Sequence, residues 1–425
     1  MIPRCEARLD ARLSAKGEER GEDEDGQGEA TSLKFGVLIF IFMFMSSFVA
    51  AFAIALVLPT VAAVGVDPQH PSRSRRSLVS PRFPPIRVHP ATGAFIELQP
   101  ASPLMTRRSA VAAAAHRTYH GVNYVRKGTP YIADVNDACV ADACPPPSEW
   151  LITDADALRL QQRGMNVVRL GLMWNGAMPT APSTFNATYF EQVERAVNVL
   201  AKRGVSTILD LHQDVLSPRI CGEGAPLWVN TSHAALGGLP FPEPLGLKPV
   251  GLLPNGLPNC SAAFKPIGWS SFYMTDVCGK AFEAIYADSP PQRLGSQLAQ
   301  FWAETARRFK DNPAVLAYEL LNEPWIGDAI EHPGFLLSPG KADLAQLAPF
   351  YAQLHEAIRA HDNETIILYS GVEIGDRLTS PVGFEVGPGG HEYDDRQALV
   401  LHNYCVLGTD GHGPQVINYV FYLHL

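Results

Sequence analysis

The chain has 425 residues, 46% hydrophobic and 18% charged, a globular balance with enough apolar side chains for a sizeable core. A formal charge of −9 offers no basic face to phosphate and argues against nucleic acid as a partner. Much of that acidity sits in "GEERGEDEDGQGEA", residues 17–30, inside a segment 1–34 expected to be a solvated, disordered tail.

Next comes "FGVLIFIFMFMSSFVAAFAIALVLP", residues 35–59, uncharged over more than the roughly 20 residues that cross a bilayer. It is expected to be a single-pass membrane anchor, with a long secretory signal as the alternative. Arg20 and Lys34 before it and Arg73, Arg75 and Arg76 after it leave its orientation open by positive charge. Cys139, Cys144, Cys221, Cys260, Cys278 and Cys405 all follow it, as do glycosylation sequons at Asn186, Asn230, Asn259 and Asn363. An even cysteine set suits an oxidising compartment, with the pairing open, so residues 60 onward are expected in the lumen or outside the cell. "RSRR", residues 73–76, resembles a furin-type processing site whose cleavage would release a secreted domain. Residues 60–110 are rich in proline, serine and arginine and are expected to be a linker, leaving 111–425 as the folded domain.

Six strand-like runs follow: "YHGVNYV" (119–125), "NVVRLGLMW" (166–174), "VSTILDLHQD" (205–214), "VLAYELLNEP" (315–324), "IILYSGVE" (366–373) and "ALVLHNYC" (398–405). Helical patterns separate most of them. One lies around 154–163, and another in "TYFEQVERAVNVLAKRG" has Phe190, Val193, Val197 and Leu200 on one stripe and Gly204 as its stop. Two more lie in "LGSQLAQFWAETARRFKDN" and "LAPFYAQLHEAIRAHDN". Apolar strands alternating with helices predict a parallel α/β sheet buried on both faces. Without a glycine-rich phosphate loop after the first strand, and with polar residues at the strand tips, a (β/α)8 TIM barrel is favoured over an open nucleotide-binding sheet. About six of its eight strands are read in this chain.

In "VLAYELLNEPWIGD" the proline ends ladder pairing after Glu323 and leaves that carboxylate at a strand tip. Hydrolysis of a glycosidic bond needs one protonated carboxyl for the leaving oxygen and one carboxylate opposite. Glu323 is the strongest candidate for the first, with Asn322 placed to bond a sugar hydroxyl, and Glu319, deeper on the strand, reads as a structural carboxylate. "DLHQD" sets Asp210, His212 and Asp214 on one face. A metal there lacks further ligands at metal spacing, so His212 is expected to contact sugar and no cofactor is called for. Arg169, His402 and Tyr404 likewise interrupt apolar strands, and a buried Arg169 requires a carboxylate beside it. Trp174 and Trp228 are candidates for stacking on sugar or lipid, with core packing as the alternative.

The set "HGVNYV", "VVRLGLMW", "DLHQD", "ELLNEPW" and "HNY", on successive strands, resembles glycoside hydrolase family 5, the retaining β-glycosidases on a TIM barrel. "QDVLSPRICGEGAPLWV" (213–229) and "NEPWIGD" are similar to its endoglycoceramidase branch. The resemblance covers about 119–405. It implies a glycolipid substrate cut between oligosaccharide and ceramide, with Glu323 as acid/base and Asn322, His212, Arg169, His402 and Tyr404 lining the sugar site. It also implies a nucleophilic glutamate ending a seventh strand in a Ser/Thr-Glu-Phe/Trp-Gly context, followed by an eighth strand and a β-sandwich. Residues 411–425, "GHGPQVINYVFYLHL", contain no acidic residue, so the nucleophile is expected to be absent from this chain. Alternative readings are a cellulase- or mannanase-like hydrolase, and a glycan-binding protein without catalysis.

Overall fold

Six of the segments read as strands form one parallel sheet in the computed structural model. The structure describes residues 83–89, 92–97, 115–128, 131, 134–135, 151–260, 268–373, 382–404 and 418–423. The expected tail and membrane anchor, the "RSRR" site, and Cys139, Cys144 and Cys405 lie outside these residues. Among the described residues no helix is long and apolar enough to cross a membrane.

The strands are β1 (Gly121–Tyr124), β2 (Val167–Met173), β3 (Ser206–His212), β4 (Val315–Glu319), β5 (Ile366–Ser370) and β6 (Gln397–Tyr404). They lie side by side in chain order, each parallel to the next. Every residue of β2, β3, β4 and β5 is buried, as expected of a parallel sheet covered on both faces. The sheet curls. Arg169 on β2 bonds Glu319 on β4, and His402 on β6 comes within 3.6 Å of the same carboxylate, so side chains from strands two apart converge over the concave side.

A further strand, β7 (Asn418–Leu423), pairs antiparallel with β6, a departure from the all-parallel expectation. Its aromatic and β-branched run "NYVFYL" favours a strand, and the sequence between, with three glycines and a proline, carries no helical stripe for a crossover.

The covering helices are α1 (Asp154–Gln162), α2 (Ala187–Lys202), α3 (Asp276–Tyr286), α4 (Leu294–Phe309) and α5 (Ala348–Arg359). Thr153 caps α1 reciprocally with Asp156. The stripe Phe190, Val193, Val197 and Leu200 is at most 1% exposed, and α2 ends before Gly204 at φ +74°. Helix α3 was not legible in the sequence, because the long Pro/Gly-rich approach obscures where its stripe of Val277, Ala281, Phe282 and Ile285 begins. Trp302 on α4 is fully buried and donates from Nε1 to the Leu320 carbonyl at 3.1 Å, fixing the exit of β4. Trp302→Phe leaves that carbonyl unpaired and should destabilise the fold by about 1–3 kcal/mol, read as a shift in urea midpoint; an unchanged midpoint would show that the bond does not hold β4.

Part of the stretch expected to be linker is folded. Ile86–Val88, Phe95–Glu97 and Ala115–Arg117 form an antiparallel sheet, and Val88 and Phe95 pack against Val167, Ile208, Leu316 and Ile366 at the N-terminal ends of the barrel strands. Such three-residue strands are too short to show periodicity in sequence. Of the expected cysteine set, Cys221 and Cys260 form a disulfide, whereas Cys278 is a buried free thiol raised well above its ordinary pKa by desolvation. The sequon residues Asn230, Asn259 and Asn363 are exposed, and Asn186 caps α2 by accepting from the Tyr189 amide.

Candidate active site

The chain leaving β4 does not continue as a strand to the expected tip. Regular pairing stops at Glu319, and Glu323 stands four residues later in an irregular turn with φ +40°. A positive φ is costly for a glutamate, roughly 1–3 kcal/mol, and Pro324 further restricts the residue before it. The turn is held from β3's exit: Gln213 donates from Nε2 to the carbonyls of Asn322 (2.7 Å) and Glu323 (3.0 Å) and accepts from the Leu216 amide. Asn322 returns the bond from Nδ2 to the Gln213 carbonyl at 3.0 Å. The strain sits on the residue expected to do chemistry and is fixed from outside the turn.

Below it lies a dense ion network. Arg169 grips Glu319 with two parallel bonds, Nε to Oε2 at 2.7 Å and Nη2 to Oε1 at 2.8 Å, the fork geometry that suits guanidinium. Its Nη2 also reaches Asn322 Oδ1 at 2.8 Å and lies 2.9 Å from Asp210, while Nη1 donates to Asn123 Oδ1 at 3.1 Å. Burial opposes ionisation of Glu319, but the charge and bonds of Arg169 outweigh it and hold the carboxyl down at about 2. His402 faces two carboxylates, with Nδ1 2.8 Å from Glu323 Oε1 and Nε2 3.6 Å from Glu319 Oε1. Burial opposes a charged ring, yet Glu319 and Glu323 raise it to about 10, so the imidazolium is the form that serves both neighbours.

These shifts set a pH window. His402 rises from 6.5, so its stabilisation is complete below that pH and is lost as pH climbs through about 10. Glu319 falls from 4.5, so its contribution is present above that pH and is lost on acidification through about 2. Calorimetric Tm should therefore be highest between these ordinary values and decline toward alkaline pH. In His402→Gln the alkaline decline should flatten; equal slopes in the two proteins would contradict the pairing.

His212 Nδ1 lies 2.8 Å from Asp210 Oδ2, the geometry of an N–H donated to the carboxylate, and its Nε2 lies 3.5 Å from Asp214. Burial opposes its charged form, and Asp210 and Asp214 more than compensate and raise its pKa. Asp214, at about 2 despite burial, is held down by His212 and by Lys127, which also bonds Glu223 at 2.8 Å. Lys127 lies 5.5 Å from the ring centre of Trp269, and the Tyr273 ring lies tilted against Trp325 with centroids 5.3 Å apart. Among the described residues no group of three or more His, Cys, Asp or Glu is placed to hold a metal ion.

Of the expected site residues, the structure brings together Glu323, Asn322, Arg169, His402 and His212. Tyr404 ends β6 opposite Asn418, and its side chain lies outside the described ones. Trp174 is corrected to a core residue: it opens a helical turn, is 2% exposed, and packs edge-on to Trp228 at 5.4 Å. Trp228 is half-buried and donates to the Met178 carbonyl at 2.7 Å. Gln213, Lys127 and Glu223 were missed. Gln213 and Glu223 lie inside the quoted "QDVLSPRICGEGAPLWV" run without having been singled out, and Lys127 lies in no quoted motif.

A curled parallel sheet with its charged site gathered at the C-terminal ends of the strands defines a TIM-barrel-like protein. The chain belongs to glycosyl hydrolase family 5, whose cellulase family model matches residues 144–416. An endoglycoceramidase of Hydra vulgaris is 37% identical over 289 residues, 68% of this chain and 52% of that protein. One of Cyanea nozakii is also 37% identical over 289 residues, covering 68% of this chain and 53% of its own length. A solved endo-glycoceramidase II from Rhodococcus sp., in complex with a five-membered iminocyclitol, aligns at TM-score 0.46 and 27% identity, over 67% of this chain and 57% of that one. The chain spans about half the length of the curated relatives it matches.

Proposed function

We propose that this chain forms the acid/base side of a retaining β-glycosidase that cleaves glycosphingolipids between the oligosaccharide and the ceramide. The observation that carries the reading is Glu323, 15% exposed at its side chain, held in a strained turn at the sheet's mouth against His402. Its carboxyl hands a proton to the leaving oxygen, then takes one from the water that releases the sugar. Arg169 and the Gln213 carbonyl hold Asn322 where its amide can meet a hydroxyl of the sugar being cut. The opposing carboxylate belongs to a later strand of the family pattern. The 37% identity to two endoglycoceramidases supports the lipid-linked substrate over a cellulose-like one.

The Cys221–Cys260 disulfide supports the expectation that this domain works in an oxidising lumen or outside the cell, with residues 35–59 as its membrane anchor. The test compares hydrolysis of an oligosaccharide-bearing ceramide, glucosylceramide and cellooligosaccharides. The proposal expects release of the intact oligosaccharide from the first. Preferential cleavage of cellooligosaccharides would overturn it in favour of a cellulase-like activity. Sequencing transcripts past the codon for Leu425 tests the placement of the nucleophile: a frame that continues into a strand ending in glutamate supports it.

A further inference from the structure

The four sequons have no part in the chemistry proposed above, and their surroundings differ. Asn186 is half-buried and gives its side-chain oxygen to the N-terminus of α2. Asn363 is exposed, but the Tyr393 hydroxyl holds its side-chain oxygen at 3.0 Å, and the hydroxyl of its Thr365 is turned away to Asp362 at 2.6 Å. Asn259 precedes the disulfide cysteine Cys260, and its Ser261 lies outside the described residues. At Asn230 the sequon closes on itself. Ser232 donates to Asn230 Oδ1 twice, from its hydroxyl at 2.8 Å and from its amide at 3.2 Å. Gln292 clamps the backbone of the same residue, its Oε1 accepting from the Asn230 amide at 2.8 Å and its Nε2 donating to the Asn230 carbonyl at 3.1 Å. The oxygen is thereby committed, while Nδ2 of this exposed residue has no protein hydrogen-bond partner among the described residues.

Gln292 is also a wall of a cleft of about 280 Å³. The helical turn His233–Leu236, which begins directly after the sequon, supplies a second wall through Leu236, and Pro290 and Pro291 a third. Lys280 and Glu283 reach the cleft from α3. No residue of the charged site at the sheet's mouth lines it, so it is a separate feature of the surface. Its size falls at the lower end of ligand-binding clefts, which begin at roughly 300 Å³, and suits a single sugar ring rather than an oligosaccharide. Its lining suits one too, because a pyranose offers apolar C–H faces to leucine and proline and a rim of hydroxyls to lysine, glutamate and amide.

We propose that Asn230 carries an N-linked glycan whose first N-acetylhexosamine lies in this cleft. The donor is a sugar joined through C1 to a lipid diphosphate. Nδ2 forms the new bond to C1, the C1–O bond breaks with its electron pair leaving on the diphosphate, and the proton lost from Nδ2 passes to a base of the transferase. The closed sequon and the Gln292 clamp hold the glycosylated residue at the edge of the cleft, so the folded chain keeps the sugar without moving. The proposal rests on the expected placement of this domain in a lumen or outside the cell and is independent of whether the chain hydrolyses glycolipid.

The full chain, produced in a eukaryotic secretory host, is treated in heavy-oxygen water with an amidase that releases N-glycans, which turns each glycosylated asparagine into a labelled aspartate. Fragment masses separate Asn230 from Asn259. Label is expected at Asn230, and Ser232→Ala, which keeps the asparagine and removes the sequon hydroxyl, should lose it. Label at Asn259 or Asn363 with none at Asn230 overturns the proposal while upholding the placement of the domain; absence of label from every sequon overturns both. Amide exchange tests the cleft. With the glycan trimmed to its first sugar, the amides of Ala235, Leu236 and Gly237 should exchange about threefold more slowly than after complete removal of the glycan. Equal exchange in the two forms overturns the seating of the sugar in the cleft, by showing that it stands in solvent.

Discussion

In any preparation where the unaltered protein hydrolyses glycolipid, Glu323→Gln should lower the rate on that natural substrate by about 10²–10⁴-fold, the range associated with a positioned general acid. Glutamine keeps the shape of the side chain and an oxygen for His402 Nδ1, now 2.8 Å from Glu323 Oε1, but has no proton of suitable acidity to give. The loss should depend on the leaving group. An aryl glycoside whose phenolate departs without protonation should lose much less in the step that breaks the bond, whereas an alcohol such as ceramide needs the proton. Parallel kinetics on the two substrates, with Tm recorded to confirm folding, separate a lost acid from a damaged site. Equal rates for variant and unaltered protein on the ceramide substrate would remove Glu323 from the chemistry.

The second large effect concerns stability. Arg169→Met removes a guanidinium that faces both Glu319 and Asp210, each 0% exposed at its side chain. Glu319 keeps His402 and Asp210 keeps His212, but each loses the guanidinium that closes the network; breaking a buried ion network from one side costs about 3–5 kcal/mol, so the urea midpoint should fall steeply. Arg169→Lys should recover only a fraction, because an ammonium cannot make the two parallel bonds that now measure 2.7 and 2.8 Å. Adding Glu319→Gln to Arg169→Met should restore part of the loss by removing one charge left without its guanidinium. A midpoint in Arg169→Met within about 0.5 kcal/mol of the unaltered protein, the scale of an ordinary surface substitution, would mean that the network is not what holds the sheet's concave side together.

Individual residues show where sequence reading stops. The need of Arg169 for a carboxylate was legible from cost alone, since a charge inside an apolar strand must be paired, and Glu319 answers it. Glu319 was likewise separable from Glu323 by its depth along the strand. Gln213 was not legible as the clamp on the Glu323 turn, because its two bonds cross from the exit of β3 to the exit of β4, 109 and 110 residues away. Trp174 was misread because the strand pattern of "VVRLGLMW" does not show that the chain turns helical at the tryptophan and folds it into the core. Lys127 carries no motif around it, and only the fold places it on Asp214 and Glu223.

Apolar strands alternating with amphipathic helices, a proline after an acidic strand end, and polar residues interrupting oily runs are local patterns, and the sequence by itself determined the parallel α/β architecture from them; the family came from the resemblance of its strand-end motifs. Backbone periodicity and the desolvation cost of charge act over a few residues and survive in one dimension. The tertiary structure alone decided which carboxylates face His402, the left-handed turn at Glu323, the packing of Val88 and Phe95 against the barrel's end, and the antiparallel β7. Each depends on the curl and register of the sheet, which bring together groups tens to hundreds of residues apart and whose energies exist only once the strands have met.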